Sequence, residues 1–142
     1  MSALVVGIAT DEDAANWDGY VDAHPQASIF HRFVWRSVLA EGLGYRPEYL
    51  MARRDGQVCA ILPLMRVRSR WHGTTFVSLP FCAYGGPLAD DAEALLAVDR
   101  QAQTLAQACG AKFVEYRFEA GSPLQAPTLD LYQTFIKAVP DN

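Results

Sequence analysis

Three strand-like segments that follow one another along the chain limit its fold more than any other feature of the sequence. They cover residues 47–53, 57–68 and 74–79, and each is largely apolar and bounded by turn residues. Asp55-Gly56 joins the first two segments, and Asp-Gly is a strong signal for a two-residue hairpin turn. A second turn at residues 70–73 leads into the third segment. The sequence therefore predicts a three-stranded antiparallel meander.

Helical patterns flank this meander on both sides. Apolar residues recur at helical spacing, and this spacing predicts that Val38 and Leu96 face inward on two of the helices. The predicted order is β-α-α-β-β-β-α-β-β, which indicates an α+β domain with a mostly antiparallel sheet flanked by helices. Outside the meander, the predicted helices cover residues 11–23, 31–43 and 90–109, and the predicted strands cover residues 4–9 (buried), 112–118 and 128–138.

Composition and charge exclude several classes of protein. With 142 residues, 51% hydrophobic composition and a net charge of −4, the chain fits one globular domain without a global basic field for nucleic acid. Cys59, Cys82 and Cys109 are odd in number and far apart, which fits neither a zinc site nor a disulfide framework. No apolar run has the length of a membrane span or the flanks of a signal peptide. We expect a cytoplasmic protein without a metal ion.

The break at the end of the meander is the strongest candidate for a site. Residues 78–88 read Ser-Leu-Pro-Phe-Cys-Ala-Tyr-Gly-Gly-Pro-Leu. Adjacent Gly85 and Gly86 allow positive φ angles and, lacking side chains, let other groups approach the backbone closely. Pro80 and Pro87 make the break rigid. The segment is either one wall of a cleft or a tight turn between a strand and a helix.

Two sets of charged residues give further candidates. Arg66, Arg68 and Arg70 alternate along one predicted strand, so they share a face. That face could bind the phosphates of a nucleotide-linked sugar or a tRNA backbone, or it could be a solvated strand end; Arg68 is favoured because it lies deeper in the strand than Arg70. Glu115 and Arg117 alternate with apolar residues, so they either pair with each other or serve a ligand.

Several short motifs together resemble the opening of FemAB-family proteins, and most closely the FemAB-related proteins associated with PEP-CTERM exopolysaccharide systems. The resemblance runs from about residue 15 to the C-terminus, and the combination of motifs is more specific than any one of them. The motifs are His-Pro-Gln-Ala-Ser-Ile-Phe-His at 24–31, Trp35, Gly-Tyr-Arg-Pro at 44–47, Asp-Gly at 55–56, Ile-Leu-Pro-Leu at 61–64, Ser-Leu-Pro-Phe at 78–81, Tyr-Gly-Gly-Pro-Leu at 84–88 and Val-Glu-Tyr-Arg at 114–117.

This resemblance implies a fold and an activity. FemAB-type proteins have two tandem GNAT-like halves and transfer an acyl group, often an aminoacyl group from charged tRNA, onto an amine of a cell-wall precursor. Residues 1–142 resemble the first, substrate-side half as a single GNAT-like domain, and the family's second half is credited with binding the donor. The implied acceptor is a cell-envelope or exopolysaccharide precursor. The implied donor, aminoacyl-tRNA or another acyl donor, would come through a second half, and a second copy of this chain in a homodimer could replace that half.

The same comparison bears on cofactors. GNAT domains that use acyl-CoA usually hold its pyrophosphate on a Gly-rich loop ahead of a helix N-terminus. In the corresponding residues 84–91, Pro87 removes an N–H group, and Asp90 and Asp91 would repel phosphate. We therefore expect no acyl-CoA and no other cofactor on this chain.

The candidate substrate-binding residues follow from the break and from the resemblance. Tyr84 is expected to stack or hydrogen-bond, the glycines to admit substrate, and the arginines to hold anionic groups. No catalytic base is assigned, and His31 is either a core or capping residue or part of the site. The alternative function is a non-catalytic GNAT-like binding module that needs a partner domain to cover an exposed sheet edge. The expected cleft residues are Arg68, Phe81, Tyr84, Gly85, Gly86 and Arg117.

Overall fold

The computed structural model describes residues 2–128, which form three helices and eight strands. Two single 3-10 turns, Asp11–Asp13 and Ile29–His31, precede the first two helices. The elements are β1 Leu4–Ile8, α1 Ala14–Ala23, α2 Trp35–Leu43, β2 Arg46–Pro47, β3 Leu50–Arg54, β4 Gln57–Leu62, β5 Leu64–Ser69, β6 Gly73–Ser78, β7 Leu88–Ala89, α3 Ala92–Ala108 and β8 Val114–Glu115.

The strands form two four-stranded sheets, in the orders β1-β3-β4-β7 and β2-β5-β6-β8. The chain passes from one sheet to the other at Pro63, between β4 and β5. The sequence predicts a single strand over residues 57–68, but Pro63 has no N–H to donate to a strand ladder and divides it. The β6–β8 pair is parallel, and α3 makes the crossover connection that such a pair requires. All other pairings are antiparallel.

Two hydrophobic clusters hold the layers together. One is aromatic and lies beneath α1 and α2, with Trp17 stacked on Tyr49 at a ring-centroid distance of 5.0 Å. The other lies between α3 and the first sheet. On that side α3 buries small residues, so the helix can lie close to the strands. Its buried residues are Ala94, Val98, Ala102 and Ala106.

The predicted α+β class is confirmed, and several local predictions are wrong. β1 is an edge strand with Val5 63% exposed rather than a buried strand. Val38 and Leu96 were expected to face inward but are 48% and 42% exposed. α2 begins at Trp35 and not near residue 31, because residues 29–31 form a separate 3-10 turn. Residues 129–138 of the predicted last strand lie outside the described residues.

Candidate functional site

The break predicted from the glycines is a loop of residues 79–87 between β6 and β7, here called the double-glycine loop. Its backbone is unusual, with φ of +52° at Leu79, +66° at Phe81 and +158° at Gly85. Positive φ at a non-glycine residue costs free energy and persists only where the surroundings enforce it. Leu79 and Cys82 supply part of that enforcement, because both are buried in the aromatic cluster.

The two glycines are required by contacts within the chain. A Cβ atom added at Gly85 would lie 2.7 Å from Leu79 Cδ1. One added at Gly86 would lie 3.0 Å from the Arg117 carbonyl oxygen and 3.0 Å from the Phe118 ring. The close approach expected at these glycines is therefore made by neighbouring parts of the protein, and their contact with substrate stays a prediction.

The buried side chain of His31 holds the double-glycine loop through a hydrogen bond to Gly86. Its Nδ1 accepts a hydrogen bond from the Ser28 backbone N–H at 3.0 Å, so the ring carries its proton on Nε2. Nε2 then donates to the Gly86 carbonyl oxygen at 2.9 Å. Burial is the main cause that lowers the pKa of His31 below its ordinary value of 6.5, so the ring stays neutral at neutral pH. The cap role considered for His31 is present, and it extends across the fold to the double-glycine loop.

Arg117 ties the loop to the end of β8. Its carbonyl oxygen accepts from the N–H groups of both Gly85 (3.1 Å) and Gly86 (2.8 Å). Its guanidinium donates to Glu115 Oε1 at 2.9 Å and to the Cys82 carbonyl oxygen at 3.1 Å. Its backbone N–H donates to Ser78 Oγ at 2.9 Å. The ion pair considered for Glu115 and Arg117 therefore forms, while a ligand role for Arg117 remains a prediction.

Two aromatic side chains of the loop differ in their surroundings. Phe81 is 78% exposed and lies parallel to Tyr45, with ring centroids 6.4 Å apart and planes at 9°. Tyr84 is half-buried, and its ring meets Phe30 edge-on at 6.3 Å. We call Tyr45 and Phe81 the aromatic platform. A large exposed aromatic held at positive φ is a feature that packing alone does not require, and its flat face suits a sugar ring or a base.

The arginine row does not act as one surface. Arg66 bonds the buried carboxylate of Glu48 and lies over the Phe76 ring, so its role is structural. Arg68 pairs opposite Thr74, which lies about 13 Å along β6 from Ser78, the last residue before the double-glycine loop. Phe81, Tyr84, Gly85, Gly86 and Arg117 are brought together by the fold, whereas Arg68 lies at the other end of the strand.

The N-terminus of α3, which follows the loop, is capped from within. The Asp91 carboxylate accepts from the Ala94 backbone N–H at 2.9 Å and forms an ion pair with Arg54 at 2.7 Å. The pKa of Asp91 is lowered to about 2, mainly by its hydrogen bond with Arg54 and next by its hydrogen bond with the Ala94 N–H. Arg54 also reaches Glu93 at 2.8 Å. A carboxylate of the chain itself thus occupies the place where this helix would attract an anion.

Residues 2–128 contain neither a metal-binding cluster nor a helix that could span a membrane. Within residues 2–128, no three His, Cys, Asp or Glu side chains come together in a way that could hold a metal ion. Over the same part of the chain, the helices are too short or too polar to cross a bilayer.

Comparison with known proteins identifies the fold. No family model matches the sequence, and no curated protein matches it. Among solved structures, the chain is similar to a ribosomal-protein-alanine N-acetyltransferase from Brucella melitensis biovar Abortus 2308, with a TM-score of 0.61 and 12% identity over 95% of this chain and 99% of that one. It is also similar to a GNAT family acetyltransferase from Staphylococcus aureus, with a TM-score of 0.59 and 7% identity over 95% and 100% of the two chains. The chain therefore has the GNAT fold, as predicted.

Sequence reasoning missed two residues that shape the site. Tyr45, which forms the platform with Phe81, was not among the expected cleft residues, although it directly follows the left-handed Gly44 that ends α2. Ser78, which is fully buried and bonds Arg117 through its hydroxyl, belongs to the Ser-Leu-Pro-Phe motif but was not among the expected cleft residues. For His31 the signal was present, since Ser28 three residues earlier is typical of a capping pair.

Proposed function

We propose that this chain is the acceptor-binding half of a FemAB-like N-acyltransferase. The acceptor is an amine on a cell-envelope or exopolysaccharide precursor. In the reaction, the amine nitrogen bonds to the acyl carbonyl carbon, the donor's alcohol or thiol leaves, and the amine loses a proton to a base or water. The donor, which is aminoacyl-tRNA or another activated acyl group, is presented by a second GNAT-like half or by a second copy of this chain.

One observation supports the proposal that this chain binds the acceptor while another half binds the acyl donor. The N–H groups of Gly85 and Gly86 both bond the Arg117 carbonyl oxygen, at 3.1 and 2.8 Å. The Asp91 carboxylate engages the first turn of α3 immediately downstream. In a GNAT domain that uses acyl-CoA, the backbone N–H groups at these places would face the pyrophosphate. In this chain those N–H groups bond to the chain itself, which supports the proposal that the acyl donor is held by another half.

The acceptor role rests on the aromatic platform. Phe81 projects from a loop whose other contacts are internal, and its exposed ring is backed by Tyr45. Stacking on an aromatic ring is worth about 1–3 kcal/mol for a base. A sugar-nucleotide precursor offers such a base as well as sugar faces, and Arg117 at the adjoining strand end carries a partly exposed cation for its anionic groups.

Titration calorimetry with a uridine-diphosphate-linked muramyl peptide that carries a lysine amine tests this proposal. Phe81→Ala should weaken binding about tenfold or more, through the loss of stacking. It should leave the unfolding midpoint nearly unchanged, because the ring is 78% exposed. Leu96→Ala, which removes another exposed apolar side chain on α3, is the matched control and should bind normally. Equal binding by both variants would contradict the acceptor role.

The second candidate is a non-catalytic GNAT-like module that binds a partner domain. The edge strand β1 favours it, since Val5 and Ile8 are 63% and 48% exposed there. An exposed apolar edge is normally covered. The two candidates separate in one assay: added second-half domains should produce an amide product in the first case and only a complex in the second.

A further inference from the structure

The turn between β5 and β6 forms a surface that the proposed function does not use. Trp71 at this turn is 91% exposed, more than any other large hydrophobic side chain in residues 2–128. The Ser69 hydroxyl accepts from the backbone N–H groups of Trp71 and His72, both at 3.3 Å, so the turn is ordered and presents Trp71 outward.

A second segment completes this surface. The Lys112 backbone N–H donates to the Thr74 carbonyl oxygen at 2.9 Å, and the Phe76 N–H donates to the Phe113 carbonyl oxygen at 3.1 Å. These bonds hold residues 112–113 beside β6. The Lys112 side chain lies over Gly73, and Phe113 is 52% exposed. We call the combined surface the hairpin tip; it consists of Arg68, Arg70, Trp71, Lys112 and Phe113.

The charges of the hairpin tip are unbalanced. Seven arginines of the described chain form ion pairs with carboxylates. Arg68, Arg70 and Lys112 form none there, and the only other unpaired cation of residues 2–128 is Arg100 on α3. Residues 56–89 contain no Asp or Glu at all. In a chain of net charge −4, three free cations therefore meet at one exposed end.

We propose that the hairpin tip docks the protein on an anionic phospholipid surface. Tryptophan favours the interface between headgroups and acyl chains, and clustered Lys and Arg attract anionic headgroups. The strength of peripheral membrane binding increases with buried apolar area and with electrostatic attraction to anionic lipids, and the hairpin tip offers both. A small, localised basic cluster beside an exposed tryptophan fits this surface better than RNA, which calls for a basic stripe. The cluster also disfavours a second copy, since two such tips would repel each other.

The length of β6 sets the distance between the hairpin tip and the candidate site. The membrane-docking proposal does not depend on the proposed function. β6 runs from Gly73 at the tip to Ser78, the last residue before the double-glycine loop. Five steps of strand rise place that loop about 17 Å from the tip. The aromatic platform would therefore lie close to, but not in, the bilayer surface.

Co-sedimentation of the whole chain with phosphatidylcholine vesicles, with and without phosphatidylglycerol, tests the inference. The chain should sediment with the anionic vesicles only, and less so as salt is raised. Arg70→Gln should lower the partition coefficient about fivefold, and Arg68→Gln with Arg70→Gln about 25-fold. Arg100→Gln is the matched control, because it removes an exposed and unpaired cation on another element.

Tryptophan fluorescence gives a second readout. Of the three tryptophans, Trp17 is fully buried, Trp35 on α2 is partly buried and Trp71 is 91% exposed, so a blue shift on vesicle addition is assigned by comparison with Trp71→Phe. Trp71→Phe should abolish the shift. Equal sedimentation with both vesicle types, equal losses from Arg70→Gln and Arg100→Gln, binding of an RNA oligonucleotide in place of vesicles, or a Trp71-dependent dimer would each overturn the inference. Failure of precursor binding to the aromatic platform would leave these outcomes unaffected.

Discussion

At the scale of single residues, His31 shows how one side chain can fix a functional loop. Its neutral ring needs an acceptor nitrogen toward Ser28 and a donor nitrogen toward Gly86. Protonation would turn Nδ1 into a donor facing the Ser28 N–H and would place a charge in a buried position. The loop that carries Phe81 is thereby linked to the protonation state of a histidine outside it.

This link predicts a pH dependence of stability. The unfolded chain protonates His31 near pH 6.5, while the folded chain, with its lowered pKa, does not. The unfolded state therefore binds more protons, and the free energy of unfolding falls as the pH drops below about 6.5. Urea unfolding at pH 7.5 and 5.5 should show this loss in the wild type and a smaller one in His31→Gln. The same loss of stability in both proteins would show that His31 is not the source of the pH dependence.

Gly86 gives a second prediction at this scale. Gly86→Ala should destabilise the fold by about 1–3 kcal/mol, because the new methyl group would press on the Arg117 carbonyl and the Phe118 ring. Gly19→Ala is the matched control, since its Cβ would meet nothing within 4 Å. Gly19 lies inside α1, so that change should stabilise by about 0.5–1 kcal/mol. Thermal unfolding of the two variants should therefore shift in opposite directions, and a shared direction would show that Gly86 is not constrained by packing.

At the scale of secondary-structure elements, the first turn of α3 depends on Asp91. The pKa of Asp91 is lowered to about 2, so its stabilisation is complete above about pH 4 and is lost as the pH falls toward 2. Asp91→Asn keeps a capping side chain but removes the charge. The variant should lose less stability than the wild type between pH 4 and 2, measured by circular dichroism at 222 nm. At pH 7, Asp91→Asn should lower the free energy of unfolding less in an Arg54→Gln background than in the wild type. An equal decrease in both backgrounds would show that the ion pair with Arg54 does not contribute to stability.

Elements with strong local signals could be predicted from the sequence, and elements decided by tertiary contacts could not. The Asp55-Gly56 hairpin and α3 have a turn dipeptide and caps of their own, and both are present. The division at Pro63 was missed because an apolar run looks the same whether it continues in one sheet or passes between two. Val38 was placed inward because helical spacing gives the apolar stripe only approximately, whereas its neighbour Leu39 is buried.

At the scale of the whole molecule, the candidate site was found in part. Double glycines and flanking prolines mark the loop in the sequence, and the segment after β8, which carries Arg117, does reach it. Arg68 was grouped with them because the sequence does not show which end of a strand faces the site. The partners that hold the loop in place, His31 and Ser78, are 55 and 39 residues from the groups they bond. Contacts over such separations are set by the fold and leave little local pattern.

The backbone N–H groups of Gly85 and Gly86 bond within the chain, and our proposal that the chain holds no acyl-CoA rests on these bonds. The most direct test of this proposal is a calorimetric titration of the whole chain with acetyl-CoA and with an amine-bearing sugar-nucleotide precursor. The precursor is then incubated with the chain and acetyl-CoA, and the product is identified by mass spectrometry. We expect no saturable heat with acetyl-CoA and saturable binding of the precursor. We also expect an amide product only when a donor-binding half is added. Saturable binding of acetyl-CoA, with acetylated precursor formed by this chain alone, would contradict the proposed function and identify a self-sufficient acetyltransferase.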